Sequence, residues 1–113
     1  MIYRFRVNDH PAVPLDVPAL VGRGPRLPRV PGGESRLVTV DSPESSISAT
    51  HLEIRQVGES VVVTDLRSTN GTIVTTPGSI PRRLQPGESV VAVPGTLIDM
   101  GDGNLLEILP LQR

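Results

Sequence analysis

The amino-acid sequence predicts an all-β sandwich of about ten or eleven short strands. Short runs rich in Val, Leu and Ile recur along the 113 residues, and turns rich in Pro and Gly separate them. No stretch has the period of an amphipathic helix. Because the chain has only one Phe and one Tyr, the core of the sandwich is expected to consist of Val, Leu and Ile.

The first part of the chain is predicted to contain three strands, at Tyr3 to Val7, Ala19 to Val21 and Leu37 to Val40. A turn-rich segment, Asn8 to Pro14, follows the first strand. The second strand ends at Gly22, and a loop containing Pro25, Pro28, Pro31 and Gly32-Gly33 begins there. Proline cannot donate to a ladder of backbone hydrogen bonds, so this loop is expected to be irregular.

A tight hairpin is predicted next, formed by His51 to Val57 and Val61 to Asp65 around a turn at Gly58-Glu59. Alternation along its first strand places Leu52 on the buried face and His51 on the opposite face, as expected for a half-buried strand. The hairpin brings the polar residues before its first strand close to those after its second strand. Loops are therefore expected to form a site at this edge of the sheet.

Five further strands complete the predicted sandwich and are separated by turns rich in Pro and Gly. They are expected at Thr72 to Thr75, Arg82 to Leu84, Ser89 to Val93, Thr96 to Met100 and Leu105 to Leu109.

Composition excludes several classes of function. The net charge of −1 argues against a general nucleic-acid binder, which is usually strongly basic. The absence of cysteine excludes thiol chemistry and thiolate metal sites. No apolar run approaches the roughly 18 residues of a membrane-spanning helix. We therefore expect a soluble cytoplasmic domain that does not insert into a membrane.

All 11 basic residues are arginines, a usage that indicates the coding bias of a GC-rich genome. Their placement is uneven, because the four arginines from Arg23 to Arg36 are accompanied by a single acid, Glu34. The guanidinium group is a planar fork that binds phosphate in a bidentate way. Coding bias accounts for the number of arginines, whereas their clustering leaves phosphate binding open.

Three motifs together resemble those of the forkhead-associated (FHA) domain. They are Gly22-Arg23, the spacing Ser48-x-x-His51, and Ser68-Thr69-Asn70-Gly71-Thr72 after Asp65. The resemblance covers nearly the whole chain and implies a single FHA domain over residues 1–113. It also implies a mostly antiparallel β-sandwich of about eleven strands, whose loops at one end bind phosphothreonine in an extended peptide.

The resemblance implies a binding role for four residues. Arg23 matches the arginine that contacts the phosphate, and Ser48 matches the serine that donates its hydroxyl to a phosphate oxygen. Thr69 and Asn70 match the pair that holds the phosphothreonine and the adjacent peptide backbone. From the residue alone, Arg23 is better explained as a solvated surface arginine, and it is the surrounding motifs that favour a phosphate contact. Ser48 could likewise be a turn residue that bonds its own backbone.

Four other residues are implied to support the site: Gly22, His51, Ser68 and Gly71. In the family the histidine matching His51 braces the binding loops through hydrogen bonds and does not touch phosphate. Asn70-Gly71 is by itself a strong turn signal, since both residues tolerate a positive φ, so the turn can present the Asn70 side chain.

An enzymatic interpretation combines His51 with Ser48 or Ser68 and Asp65 into a nucleophilic triad. Such a triad requires an activated serine and an oxyanion hole, and no nucleophile elbow is evident. A metal site is disfavoured as well, because His10 lies in the N-terminal turn region and no acidic cluster has ligand spacing. We expect no enzymatic activity, no metal and no cofactor.

Ala49 departs from the family, in which an arginine or asparagine at this position often adds a contact to the phosphate or peptide. Loss of a hydrogen bond to a charged group costs about 1.5 to 3 kcal/mol, or roughly ten- to a hundredfold in affinity. Arg67 and Arg26 are candidates for substitute phosphate contacts. If nothing compensates, the chain is a degenerate FHA-like domain that binds partners independently of phosphorylation.

Two further departures lie in loops. The Pro-rich segment Gly24 to Glu34 is longer than the usual connection, and Thr76-Pro77-Gly78 replaces a second Asn-Gly pair. The predicted function is still that of a non-catalytic phosphothreonine-binding module in Ser/Thr-kinase signalling, as one domain or fragment of a larger bacterial protein. Its predicted partner is a phosphothreonine-containing protein, either a Ser/Thr kinase or a kinase substrate.

Overall fold

The computed structural model describes residues 1–28 and 33–111, which form a sandwich of two β-sheets. No helix occurs in these residues, which confirms the predicted all-β class. The eleven strands are β1 (Arg4–Val7), β2 (Val13–Pro14), β3 (Ala19–Gly22), β4 (Arg36–Thr39), β5 (Leu52–Val57), β6 (Ser60–Asp65), β7 (Ile73–Thr75), β8 (Arg82–Arg83), β9 (Ser89–Val91), β10 (Leu97–Gly101) and β11 (Asn104–Ile108).

One sheet has six strands in the order β2-β1-β11-β10-β7-β8, and the other has five in the order β4-β3-β5-β6-β9. All neighbouring strands are antiparallel except β3 and β4, whose parallel register runs from Ala19↔Arg36 to Gly22↔Thr39. Parallel neighbours need a crossover connection, and the Pro-rich segment serves as one here. Residues 29–32 of that segment, which include the predicted loop residue Pro31, lie outside the described part of the chain.

The core lies between the two sheets and consists mainly of Val, Leu and Ile, as predicted. Strand alternation directs Leu52 and Ile54 of β5 inward, and both are fully buried. Phe5 and Met100 are the two largest side chains in this core that are not Val, Leu or Ile. Each fully buried side chain of this size contributes roughly 1.5 to 3 kcal/mol, so the core holds the two sheets together.

The predicted hairpin is formed by β5 and β6, which pair from Leu52↔Asp65 to Val57↔Ser60. Gly58 in its turn has a φ of +61°, a conformation that glycine adopts without steric cost. One expectation was wrong: His51 is completely buried and does not face solvent. It precedes β5, so its ring is covered by loops and does not follow the alternation of the strand.

The remaining predicted strands are present, with ends displaced by at most two residues. The sequence analysis missed β2, which lies inside the predicted turn region 8–14 and pairs with β1. This strand is two residues long and lies at an edge, where Pro14 does not need to donate to a ladder. Across the described ranges, no helix is long and apolar enough to span a membrane.

Candidate functional site

Arg23 lies where β3 ends and packs against the loop between β4 and β5, residues 40–51. Its backbone N–H donates to the Ser48 carbonyl at 3.2 Å, and the next amide, of Gly24, donates to the Ala49 carbonyl at 3.1 Å. The Arg23 Nε donates to the Ile47 carbonyl at 2.9 Å. These bonds fix the stem of an exposed side chain and leave the two terminal guanidinium nitrogens free to bind an anion.

Gly22 permits this close approach of the backbones. A methyl group built on Gly22 would lie 2.1 Å from the Ala49 carbonyl oxygen and 2.8 Å from that of Ser48. Those distances are far below any real carbon–oxygen contact. Glycine is therefore required at position 22 for β3 and the 40–51 loop to meet.

Ser48 joins the 40–51 loop to the loop between β6 and β7, residues 66–72. Its Oγ accepts the backbone N–H of Thr69 at 2.9 Å. The hydroxyl hydrogen of Ser48 is not used in this bond and can be donated to a ligand. The Asn70 Nδ2 donates to the Ser46 carbonyl at 2.9 Å, which leaves one N–H and the amide oxygen of Asn70 for a ligand.

His51 links the same two loops from beneath. Its Nδ1 accepts the backbone N–H of Ser48 at 3.1 Å, so Nε2 carries the proton and donates to the Gly71 carbonyl at 2.9 Å. Burial lowers the pKa of His51 below 6.5, and the opposing effects of the Gly71 carbonyl and the Asp65 carboxylate do not offset it. The imidazole is therefore neutral at pH 7 and acts as a bridge between backbone groups.

Asp65 organises the 66–72 loop from the buried end of β6. Its Oδ1 accepts the hydroxyls of Ser68 at 2.5 Å and Thr72 at 2.7 Å, and its Oδ2 accepts the Ser68 amide at 3.2 Å. Ser68 Oγ in turn accepts the Gly71 N–H at 3.1 Å. Burial alone would raise the pKa of Asp65, but these hydrogen bonds lower it below 3.8, so the carboxylate is ionised.

The turn between β10 and β11 supports the 40–51 loop from the other sheet. Asp102 Oδ2 accepts the Ser46 N–H at 3.1 Å and also the Ser42 hydroxyl, whose Oγ accepts the Ile47 N–H at 3.0 Å. The hydrogen bond from Ser42 is the main reason that the pKa of Asp102 is lowered. The sequence carries no signal of this role for Asp102, because its partners lie about sixty positions away.

The two arginines considered as substitutes for a side chain at Ala49 lie at different edges of the site. Arg67 has a φ of +55°, and its guanidinium lies over Gly87, in the turn before β9. Arg26 donates its backbone N–H to Thr50 Oγ1 at 3.2 Å, and its side chain is exposed. In the part of the chain that the structure describes, neither arginine side chain forms a hydrogen bond with Ser48.

Sequence analysis did not consider Arg83, which also lies beside the site. Arg83 ends β8, and its guanidinium packs against Gly71. No pattern in the sequence separates it from its neighbour Arg82, so its position could be learned only from the structure.

The hydrogen bonds of His51 do not form the triad considered from the sequence. Both ring nitrogens bond to backbone groups, and Asp65 bonds to Ser68 and Thr72. Neither serine hydroxyl therefore has a histidine base. Among the described residues, no three His, Cys, Asp or Glu side chains are grouped as metal ligands would be.

Comparison with known families gives one match, in which the sequence profile of the FHA domain covers residues 20–101. This range runs from β3 to the end of β10 and includes Arg23, Ser48, Thr69 and Asn70. No curated protein sequence matches the chain.

Solved structures show the same fold. The FHA domain of the CT664 protein from Chlamydia trachomatis superposes with a TM-score of 0.72 at 22% identity, with 99% of this chain and 100% of that chain covered. The human APLF FHA domain, solved with an XRCC1 bisphospho peptide, gives a TM-score of 0.73 at 18% identity over 98% and 100%. An FHA domain from a study of phosphothreonine-dependent FHA domain interactions gives 0.63 at 22% identity over the full length of both chains.

Proposed function

The chain belongs to the FHA domain family, and from this premise we propose that it is a non-catalytic binding module for phosphothreonine peptides. One observation carries the proposal. Arg23, Ser48 and Asn70 meet at one end of the sandwich, each fixed by a hydrogen bond that leaves other donors unused. These hydrogen bonds hold the donors in place, so little ordering entropy is lost on binding.

A phosphate group suits these donors. It carries nearly two negative charges at neutral pH and offers strong acceptor oxygens. The terminal nitrogens of Arg23 and the hydroxyl of Ser48 would bind those oxygens, and no described residue accepts the exposed Ala49 amide, which adds a backbone donor. Thr69 and Asn70 would hold the peptide, since the Asn70 amide can both donate to and accept from a backbone.

We further propose that the partner is a Ser/Thr kinase or one of its substrates in a bacterial cytoplasm. Phosphothreonine is a product of such kinases, which consume intracellular ATP. The human APLF domain binds a bisphospho peptide, and another neighbour takes part in phosphothreonine-dependent interactions. The arginine-only set of basic residues, typical of GC-rich genomes, supports a bacterial source.

The test is calorimetric titration of the chain with a degenerate phosphothreonine peptide library, and with its unphosphorylated and phosphoserine counterparts. Wild type is expected to bind the phosphothreonine library, and Arg23→Ala to bind it roughly ten- to a hundredfold more weakly. Arg55→Ala is the matched control, because Arg55 is an exposed arginine paired with Glu53 along β5. Equal binding of the unphosphorylated library, or unchanged binding by Arg23→Ala, would refute the proposal.

A second candidate function is docking of a partner independently of phosphorylation. Ala49 favours it, because its exposed methyl group gives the phosphate no side-chain donor. In that case the unphosphorylated partner binds as well as the phosphorylated one, and Arg23→Ala changes neither affinity. The same titration therefore separates the two functions.

A further inference from the structure

Arg83 holds a positive charge against the 66–72 loop. Its backbone is fixed by pairing with Ile73 of β7, and the next amide, of Leu84, donates to the Thr72 carbonyl at 2.9 Å. A methyl group built on Gly71 would lie 2.7 to 2.8 Å from three guanidinium atoms of Arg83. The guanidinium therefore occupies the space that a side chain would fill at position 71.

Gly71 is close to the proposed ligand. It follows Asn70, and it lies two positions after Thr69, whose amide bonds to Ser48 Oγ. Two residues of chain span at most about 7 Å. An extended peptide held by Ser48 and Asn70 would therefore pass Arg83 within a few residues of its phosphothreonine.

The charge of Arg83 has no acidic partner in residues 1–28 and 33–111. Four other described arginines do have one: Arg6, Arg36, Arg55 and Arg82. The contrast is clearest with Arg82, the preceding residue, which donates to both oxygens of Glu88 at 2.7 and 3.3 Å. An exposed guanidinium held beside a binding loop without a carboxylate is preorganised for an anion on the ligand.

We infer that Arg83 makes this site selective for phosphothreonine peptides that carry a second anionic group a few residues away. The group is a carboxylate of Asp or Glu or a second phosphate, since both offer the paired oxygens that a guanidinium binds. This inference rests on the proposed function and assigns a specificity role within it. Because the pair stays near solvent, the expected preference is about two- to fivefold in affinity.

The experiment is a titration of the intact chain with a phosphothreonine peptide of otherwise uncharged residues. Variants of the peptide carry Asp or phosphoserine at each position around the phosphothreonine in turn. When the second anion stands at the one or two positions that reach Arg83, wild type should bind the peptide about two- to fivefold more tightly than the parent peptide. Comparing Asp with phosphoserine at those positions shows which anion is preferred.

Arg83→Gln should lose this preference and still bind the uncharged parent peptide as wild type does. Arg82→Gln is the matched control, because it removes the same charge one residue away, from a side chain bound to Glu88. It should keep the preference. Denaturation midpoints of both variants establish that they are folded.

Two results would overturn the inference. If the preference is absent in wild type, or persists in Arg83→Gln, while the parent peptide still binds, only the role of Arg83 is refuted. If wild type binds no phosphothreonine peptide at all, the proposed function fails and this inference fails with it.

Discussion

Gly22 occupies a position where the space for a side chain is already filled by backbone. Substitution by Ala would place a methyl group 2.1 Å from the Ala49 carbonyl oxygen, so β3 and the 40–51 loop must separate. Forced repacking of this kind typically costs about 1 to 3 kcal/mol. We expect Gly22→Ala to lower the free energy of unfolding by that amount, measured in urea, and to weaken phosphothreonine binding by displacing Ser48 from Arg23.

Gly24→Ala is the matched control, because a methyl group at that position meets no atom within 4 Å. This variant should retain wild-type stability within about 0.5 kcal/mol and wild-type affinity. Equal stability of the two variants would show that the close approach at Gly22 does not constrain the site.

Among single residues, those that belong to short motifs could be named from the sequence as candidates for the site. Arg23, Ser48 and Asn70 could be named because their spacing resembles a known pattern. Why glycine is needed at position 22 could not be predicted, because the need arises from a contact with Ala49 that exists only in the folded chain. The buried position of His51 was missed for a similar reason, because alternation along β5 does not extend into the loop that precedes it.

Among elements, the turn between β10 and β11 positions a loop of the opposite sheet through Asp102. Asp102→Asn removes the negative charge from the acceptor of Ser42 and Ser46 and leaves them a neutral amide oxygen. A hydrogen bond to a charged group is worth about 1.5 to 3 kcal/mol. Because this loop presents Ser48, we expect phosphothreonine affinity to fall by roughly tenfold, measured by calorimetry.

Asp9→Asn is the control for that change. Asp9 lies in the exposed turn after β1 and forms no hydrogen bond or ion pair with other described residues. Asp9→Asn therefore changes the net charge by the same amount as Asp102→Asn but removes no hydrogen bond that supports a loop. It should bind as wild type does. If both variants bind equally well, the β10–β11 turn does not position the site.

The elements themselves differ in how far the sequence predicts them. The β5–β6 hairpin follows from local signals, namely alternation and a Gly-containing turn, and both strands are present as expected. The parallel pairing of β3 with β4 has no local signal, because it joins segments across the Pro-rich crossover. β2 escaped prediction since two edge residues give no periodicity to detect.

For the whole molecule, net charge and charge placement lead to different conclusions. The net charge of −1 argues against a general polyanion binder. The described arginines without a carboxylate partner nevertheless include four near one end of the sandwich: Arg23, Arg26, Arg67 and Arg83. A nearly neutral molecule can therefore present a local positive field to a phosphopeptide.

Stability in mild acid is also a property of the whole molecule, because it depends on the protons bound by the folded and unfolded chains. Burial lowers the pKa of folded His51 below the 6.5 of the unfolded chain. Above that pH both states are neutral at this residue. As pH falls below it, the unfolded chain binds a proton that the folded chain does not, so stability decreases until the folded pKa is reached.

We therefore expect the free energy of unfolding, measured by urea titration from pH 7.5 to 5, to fall by up to about 1.4 kcal/mol per pH unit below pH 6.5. Carboxylates with lowered pKa values, such as Asp65 and Asp102, act only near and below their ordinary value of 3.8, so these two groups do not produce the slope in this range. His51→Gln should be less stable than wild type at pH 7.5, and its stability should no longer fall with pH below 6.5. His10→Gln is the control, because His10 is an exposed turn residue, and this variant should keep the pH dependence of wild type. A slope that persists in His51→Gln would mean that another group controls acid stability.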